Sequence, residues 1–134
     1  MRLAAQALLA LALVAPSLFA QRNQRYELRI GGSTRSAEVR APRGNAAANA
    51  RRPLVIVLHG GGGNASNAEQ MTGFTRLVER EGIVVAYPNG SGRRPRREML
   101  LTWNARHCCG LAVDRNVDDV AFLSALIDTL VAVQ

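Results

Sequence analysis

The sequence predicts an α/β fold in which helices flank a mostly parallel sheet. Two wholly apolar segments, residues 54–58 and residues 83–87, lack polar alternation and fit strands that are covered on both faces. The segment between them has helical spacing, so the order is strand, helix, strand. Such a unit is right-handed and its two strands are parallel. Binding sites in these sheets open at the carboxyl ends of the strands.

Residues 1–20 are typical of a secretory signal peptide. A basic Met1-Arg2 start precedes an apolar core at residues 3–14, and the small Ala20 suits the position before a cleavage site. The core is short for a hydrocarbon layer about 30 Å thick, so a membrane anchor is the weaker interpretation. We therefore expect a secreted protein, extracellular or periplasmic, without stable membrane insertion after cleavage. Residues 21–134 then belong to one small domain.

The charge of the chain is strongly positive and carried by arginine. All 17 basic residues are arginine, the formal net charge is +7 and the sequence pI is about 11.2. The arginines are mostly scattered and aromatic residues are few, which disfavours a nucleic-acid partner. Solvated loops are the favoured interpretation, and attraction to an acidic polymer or cell envelope is the alternative.

A β-hairpin is predicted before the first apolar strand. Residues 26–30 alternate between apolar and polar side chains, Gly31-Gly32-Ser33 provides a turn, and residues 34–41 alternate less regularly. This half-buried pattern is typical of an edge of the sheet.

The helix between the two apolar strands is predicted to start after the glycines and to break in its middle. Ser66 and Glu69 have the spacing of a capping box, Gly73 weakens the centre, and Gly82 is a natural end. The residues expected to face the core are Met71, Phe74, Leu77 and Val78.

A second helix is predicted after Asn116, which suits the N-cap position. Asp118 and Asp119 favour the positive end of the helix dipole, so capping is preferred to a metal or acid pair. The expected buried face is Val117, Val120, Ala121, Ser124, Ile127, Leu130 and Val131, widened by Phe122, Leu123 and Leu126. A helix this apolar should be covered on most sides.

The first apolar strand ends in His59 followed by four glycines, Gly60 to Gly63. Residues 60–65 formally satisfy a G-x-G-x-x-A phosphate loop, but the next strand ends without the acid that binds the ribose, and a Walker loop needs a lysine that the chain lacks. The pattern H-G-G-G instead matches the oxyanion loop of esterases, whose N–H groups stabilise a tetrahedral intermediate. A purely structural glycine-rich turn is the next alternative.

Cys108 and Cys109 should be oxidised in an exported protein. Adjacent cysteines bond to each other only through an unusual turn, whereas each pairs easily with a distant cysteine, of which the chain has none. A zinc site with His107 has too few ligands, and no nucleophile motif supports His107 as a base. We expect neither a metal nor a cofactor.

Four ordered motifs resemble one family. They are residues 53–64, residues 84–90, Thr102-Trp103-Asn104 with Cys108-Cys109-Gly110, and residues 117–123. Together they closely resemble the secreted polyhydroxybutyrate depolymerase-like and feruloyl esterase-like serine esterases. The resemblance implies the N-terminal part of an α/β-hydrolase fold and an ester substrate, polymeric or small. It also implies an oxyanion loop at His59, Gly60, Gly61 and Gly62, in which Gly60 and Gly61 donate and His59 shapes the loop without being the catalytic histidine.

The chain departs from that family because it contains no G-x-S-x-G motif. Ser91 lies between Gly90 and Gly92, but the spacing is one residue too short and it follows the wrong strand. The family order places the catalytic Ser, Asp and His after Gln134, so no catalytic residue is expected here and the chain alone should be inactive. The alternative is a secreted non-catalytic binding module, or a decayed esterase, acting on a polymer or acidic surface.

Overall fold

The computed structural model describes residues 22–43, 51–94 and 97–133. The predicted signal peptide at residues 1–20 lies outside the described residues. Nine helices and strands, including one short 3-10 helix, are present in the described ranges.

The strands form a mixed four-stranded sheet. They are β1 (Arg22–Ile30), β2 (Ser33–Ala41), β3 (Leu54–Ile56) and β4 (Val84–Pro88), and they lie in the order β1-β2-β4-β3. The β1–β2 and β2–β4 pairs are antiparallel, whereas β3 and β4 are parallel. The hairpin and the parallel pair are both as predicted.

Glycines define the turn and the helix ends. Gly31 and Gly32 join β1 to β2 with φ of 53° and 81°, the left-handed conformations of a tight hairpin turn. Gly73, with φ of 64°, ends the first helix, and Gly82, with φ of 66°, ends the second. The predicted break and end are thus confirmed.

Four α-helices and one 3-10 helix accompany the sheet in the described residues. These are α1 (Ala65–Thr72), the 3-10 helix (Phe74–Arg76), α2 (Leu77–Glu81), α3 (Gly110–Asp114) and α4 (Asp119–Ala132). None of these helices is long and apolar enough to cross a membrane.

Two predictions for the region of α1 were wrong. The N-cap is Asn64, whose side chain accepts a hydrogen bond from the Asn67 N–H at 2.9 Å, so no capping box starts at Ser66. Met71 is 86% exposed, because α1 ends at Gly73 and its short buried face consists of small residues. The prediction for Met71 assumed one helical periodicity on both sides of Gly73, but the periodicity does not continue across that residue.

Two apolar clusters cover the two faces of the sheet. One cluster contains Ala37, Val39, Val84, Ala86, Leu126 and Leu130, and it joins β2 and β4 to α4. The other contains Val57, Ala65, Ala68, Val78, Val85 and Tyr87, and it joins β4 to α1 and α2. All residues of β4 are buried, as a strand covered on both faces should be, whereas those of β3 are only half-buried.

The predicted buried face of α4 was only partly right: Phe122, Leu126 and Leu130 are buried as expected, but the centre of the face is shifted. The buried residues are Asp119, Phe122, Leu126 and Leu130, while Val120 and Val131 are 75% and 68% exposed. The N-cap is Asp118 and not Asn116: the Asp118 side chain accepts a hydrogen bond from the Ala121 N–H at 2.8 Å. Because Asp119 points inward, the buried face of α4 is rotated about the helix axis relative to the face predicted from the apolar residues alone.

Candidate functional site

The candidate site is the glycine loop, which we define as residues 59–63. β3 ends at Ile56, and Val57 continues the pairing through its N–H, which bonds to the Ala86 carbonyl at 2.9 Å. The loop follows directly, at the carboxyl end of β3. It therefore lies at the edge of the parallel pair where binding sites open in α/β sheets.

His59 is buried, and both of its ring nitrogens are occupied inside the protein. Its Nδ1 lies 2.7 Å from the carbonyl oxygen of Gly60, and its Nε2 accepts a hydrogen bond from the Gly90 N–H at 3.0 Å. A neutral imidazole with its proton on Nδ1 satisfies both contacts. The ring thus joins the loop to the segment after β4 and has no free nitrogen for proton transfer with a substrate.

The glycine N–H groups of the loop divide into occupied and free donors. Gly62 donates to the Leu101 carbonyl at 2.8 Å, and Gly63 donates to the Gly60 carbonyl at 3.0 Å. Within the described part of the chain, the N–H groups of Gly60 and Gly61 donate no hydrogen bond. A Cβ added at either residue would meet nothing within 4 Å. Both donors are thus unoccupied within the described residues, and neither glycine is crowded on its Cβ side.

The orientation of both free donors is fixed through the neighbouring carbonyl groups. In a planar trans peptide the C=O of one residue and the N–H of the next point in opposite directions. The His59 carbonyl accepts a hydrogen bond from Trp103 Nε1 at 3.1 Å, which orients the Gly60 N–H. The Gly60 carbonyl is held by His59 Nδ1 and by the Gly63 N–H, which orients the Gly61 N–H.

The sequence did not lead us to predict that Trp103 contributes to this site. Its ring lies 5.0 Å from the His59 ring at an angle of 35°. The only available signal was that the single tryptophan of the chain belongs to one of the four family motifs. Its neighbour Thr102 forms an isolated antiparallel bridge with Ser91, with both N–H···O distances at 2.9 Å, so Ser91 is held in a backbone pair.

Asn89 fixes the start of α1 next to the loop. Its buried side chain accepts a hydrogen bond from the Ala65 N–H at 2.7 Å and donates to Ser36 Oγ at 3.1 Å. The first N–H groups of a helix have no intrahelical partner, so Asn89 satisfies one of them. The carboxyl end of β4 thereby holds the element that follows the glycine loop.

A buried ion pair supports the same region from the other face of the sheet. Arg35 donates to Asp119 Oδ1 at 2.7 Å, with side chains that are 5% and 10% exposed. Asp119 Oδ2 accepts from the Asn104 N–H at 2.7 Å, and the Arg35 guanidinium lies 4.3 Å from the centre of the Phe122 ring. Asp119 is therefore engaged inside the protein. No cluster of three metal-ligating side chains occurs among the residues that the structure describes.

The two cysteines are joined to each other by a disulfide bond. The sequence had favoured a distant partner for each, and the structure instead pairs Cys108 with its neighbour. His107, beside them, is exposed and lies outside the glycine loop.

Comparisons with known proteins give one partial similarity. No protein-family model matches the chain. Over 64 residues the chain is 36% identical to a protein of Nocardia uniformis subsp. tsuyamanensis named "Putative esterase NocK". The match covers 48% of this chain and 19% of that protein, so the chain spans less than a fifth of the relative's length. The similarity supports a relationship to an esterase in general.

Proposed function

We propose that this chain supplies the oxyanion loop of a secreted serine esterase with an α/β-hydrolase fold. The observation that carries the proposal is the pair of free, oriented N–H groups of Gly60 and Gly61 at the carboxyl end of β3. In ester hydrolysis the carbonyl oxygen gains negative charge in the transition state, and fixed N–H donors stabilise that charge without reorganising. The partial similarity to an esterase supports the same chemistry.

The reaction needs a serine nucleophile. The described residues contain no G-x-S-x-G motif that would supply it. A serine from a further segment attacks the carbonyl carbon, a histidine base takes its proton, and the oxyanion is held by Gly60 and Gly61. Collapse of the intermediate expels the alcohol with that proton and leaves an acyl-enzyme, which water then hydrolyses. His59 is not that base, because both of its ring nitrogens are occupied.

Two uncovered surfaces favour a further segment. In the described sheet β3 pairs only with β4, and Leu58 after it is 48% exposed. Natural proteins avoid an open, apolar edge strand. On α4, Val120 and Val131 are also exposed. We place the nucleophile strand beside β3, where it would complete the sheet.

The substrate class is an ester of a carboxylic acid, with polyhydroxyalkanoate-type polyester and feruloyl or acetyl esters as the candidates implied by the family resemblance. Secretion follows from the leader pattern at residues 1–20 and is part of the proposal. No cofactor is needed for this chemistry.

The test is hydrolysis of p-nitrophenyl butyrate by the native gene product. We expect turnover, and we expect a serine-directed phosphonate to abolish it by modifying the nucleophile. Absence of turnover on every short-chain ester would overturn the proposal in favour of a non-catalytic binding module. Turnover that resists the phosphonate would overturn the serine mechanism.

A further inference from the structure

A cavity of about 460 Å³ lies next to the glycine loop, at the carboxyl end of β4. Its walls come from the β1–β2 turn, from the segment after β4 and from the start of α4. Gly90, which bonds to His59, lines it, so one hydrogen bond connects the cavity wall to the glycine loop. Its volume is within the range of small-molecule sites, about 300–1,000 Å³.

Three arginines line this cavity without an anionic partner in the described residues. They are Arg94, Arg97 and Arg115, and none of them forms an ion pair there. The carboxylates of the cavity wall are already engaged: Glu98 pairs with Arg25, and Asp118 caps α4. We therefore define this space as the arginine cavity. Its arginines outnumber the carboxylates of Glu98 and Asp118 in its wall, and no described carboxylate forms an ion pair with Arg94, Arg97 or Arg115.

The buried wall of the arginine cavity adds an unpartnered donor. The Arg35 side chain is only 5% exposed, and its Nε has no hydrogen-bond partner in the described part of the chain, although its Nη2 atom bonds to Asp119 and Asn89. A buried donor without a partner is costly and uncommon in folded proteins. Arg35 lines the cavity, but its Nε atom has almost no accessible surface, so Arg35 contributes buried positive charge to the wall and no free contact atom.

The remaining lining is mixed, with polar side chains from Ser33, Thr34, Ser36, Asn89, Ser91 and Asn116 and a smaller apolar part. Ile30, Leu101, Leu111 and Val117 contribute to the arginine cavity. Leu111, Arg94 and Arg97 also line a second cavity of about 460 Å³, together with Met99 and Leu100, which are 67% and 77% exposed. The second cavity also contains Arg93 and one carboxylate, that of Asp114, so arginines outnumber acids in both cavities.

We infer that the arginine cavity binds the carboxylate of an aliphatic acid. Guanidinium groups bind carboxylates through paired, charge-assisted hydrogen bonds, and the apolar part of the lining packs against the aliphatic chain. Inorganic phosphate or a nucleic-acid backbone would gain nothing from that apolar part. In the context of the proposed function, on which this step rests, the ligand is the free acid end of an ester substrate that extends toward the glycine loop.

The first experiment measures binding to the native gene product without any chemistry. Hexanoate and hexanamide have nearly the same shape, but only hexanoate carries a charge. We expect hexanoate to bind at least about tenfold more tightly, the effect of one charge-assisted contact. Equal binding of the two, no binding of hexanoate, or displacement of hexanoate by an equal concentration of inorganic phosphate would overturn the inference.

Charge-neutralising variants locate the site. The double variant Arg97→Gln/Arg115→Gln changes two exposed side chains and should weaken hexanoate binding about tenfold or more. Arg76→Gln/Arg80→Gln is the matched control, because it also removes two charges from exposed side chains and both residues lie outside both cavities. An equal loss in the control would show that only net charge matters and would overturn the inference.

A pair of esters separates this inference from the proposed function. Monomethyl adipate has a free carboxylate and dimethyl adipate does not. We expect a higher kcat/KM for the monomethyl ester, and we expect the preference to disappear in the double variant. Hexanoate binding without hydrolysis of any ester would overturn the proposed function and leave the carboxylate site standing. Hydrolysis of both esters with equal kcat/KM and equal binding of hexanoate and hexanamide would overturn the site alone.

Discussion

The indole N–H of Trp103 donates a hydrogen bond to the carbonyl oxygen of His59 at 3.1 Å, across 44 residues of sequence. That carbonyl belongs to the same planar peptide as the Gly60 N–H, so fixing one fixes the direction of the other. Trp103 consequently acts on the proposed oxyanion site through the backbone. We therefore propose Trp103 as a positioning residue that acts through the His59–Gly60 peptide.

Trp103→Phe should lower kcat for p-nitrophenyl butyrate by about five- to tenfold with little change in KM. Phenylalanine retains an aromatic ring beside His59 but loses a hydrogen bond worth about 1 kcal/mol, so the Gly60 N–H is less firmly oriented. Steady-state kinetics of the native gene product measure this. Tyr26→Phe is the control, because it removes only an exposed hydrogen bond to Gln24 at 2.9 Å. A loss confined to KM would contradict the positioning role.

The free donors themselves are tested by paired substitutions at Gly61. Gly61→Pro removes the N–H and should lower kcat by about a hundredfold or more, the usual cost of losing one oxyanion donor. Gly61→Ala keeps the N–H and adds a methyl group in open space, so its kcat should stay within about threefold of the parent. Circular dichroism verifies that both variants fold. Equal losses in the two variants would mean that steric fit, and not hydrogen bonding, limits activity.

His59→Gln tests whether the histidine is structural. We expect kcat to fall about tenfold or more because the bonds to Gly60 and Gly90 weaken, while the pH dependence of the remaining activity keeps its shape. The pH profile of kcat/KM is the measurement. Loss of the alkaline or acidic limb of that profile would identify His59 as a titrating catalytic group instead.

Two adjacent acids at the start of α4 should differ sharply in their contribution to stability. Asp119→Ala leaves Arg35 buried without its partner and should lower the free energy of unfolding by about 3–5 kcal/mol. Asp118→Ala removes an exposed cap and should cost only about 1 kcal/mol. Urea unfolding of the native gene product compares them. Similar losses would show that the ion pair contributes no more than the cap.

The parts of the fold that the sequence could predict depend on local rules. The uniform apolarity of β4 indicated burial on both faces, and Gly31-Gly32 and Gly73 marked positions that require left-handed backbone. The glycine loop was predicted from its composition and from its place after a strand. In these cases neighbouring residues alone determine the conformation.

The parts that could not be predicted depend on contacts between distant residues. Arg35 and Asp119 are 84 residues apart, and nothing local to either indicates that both charges are buried. That contact turns Asp119 inward and sets the phase of α4, so Val120 was wrongly placed in the core. The role of Trp103 was hidden for the same reason: it depends on a backbone carbonyl far away in the sequence.

The carboxylate of Glu69 gives the pH dependence of stability a defined direction. Burial raises the pKa of Glu69, but hydrogen bonds from Arg40 and Thr75 outweigh it, so the pKa lies below its usual value. The folded protein therefore gains stability above the unfolded pKa of about 4.3, and this gain is lost as pH falls through the lower folded value. Glu69→Gln should be about 1 kcal/mol less stable at neutral pH, and the difference should close below about pH 4. Urea unfolding at neutral pH and at several pH values below 4 measures the gap, with Glu81→Gln, which lies on an exposed surface, as the control. A gap that stays constant with pH would mean that the contribution of Glu69 does not come from its charge.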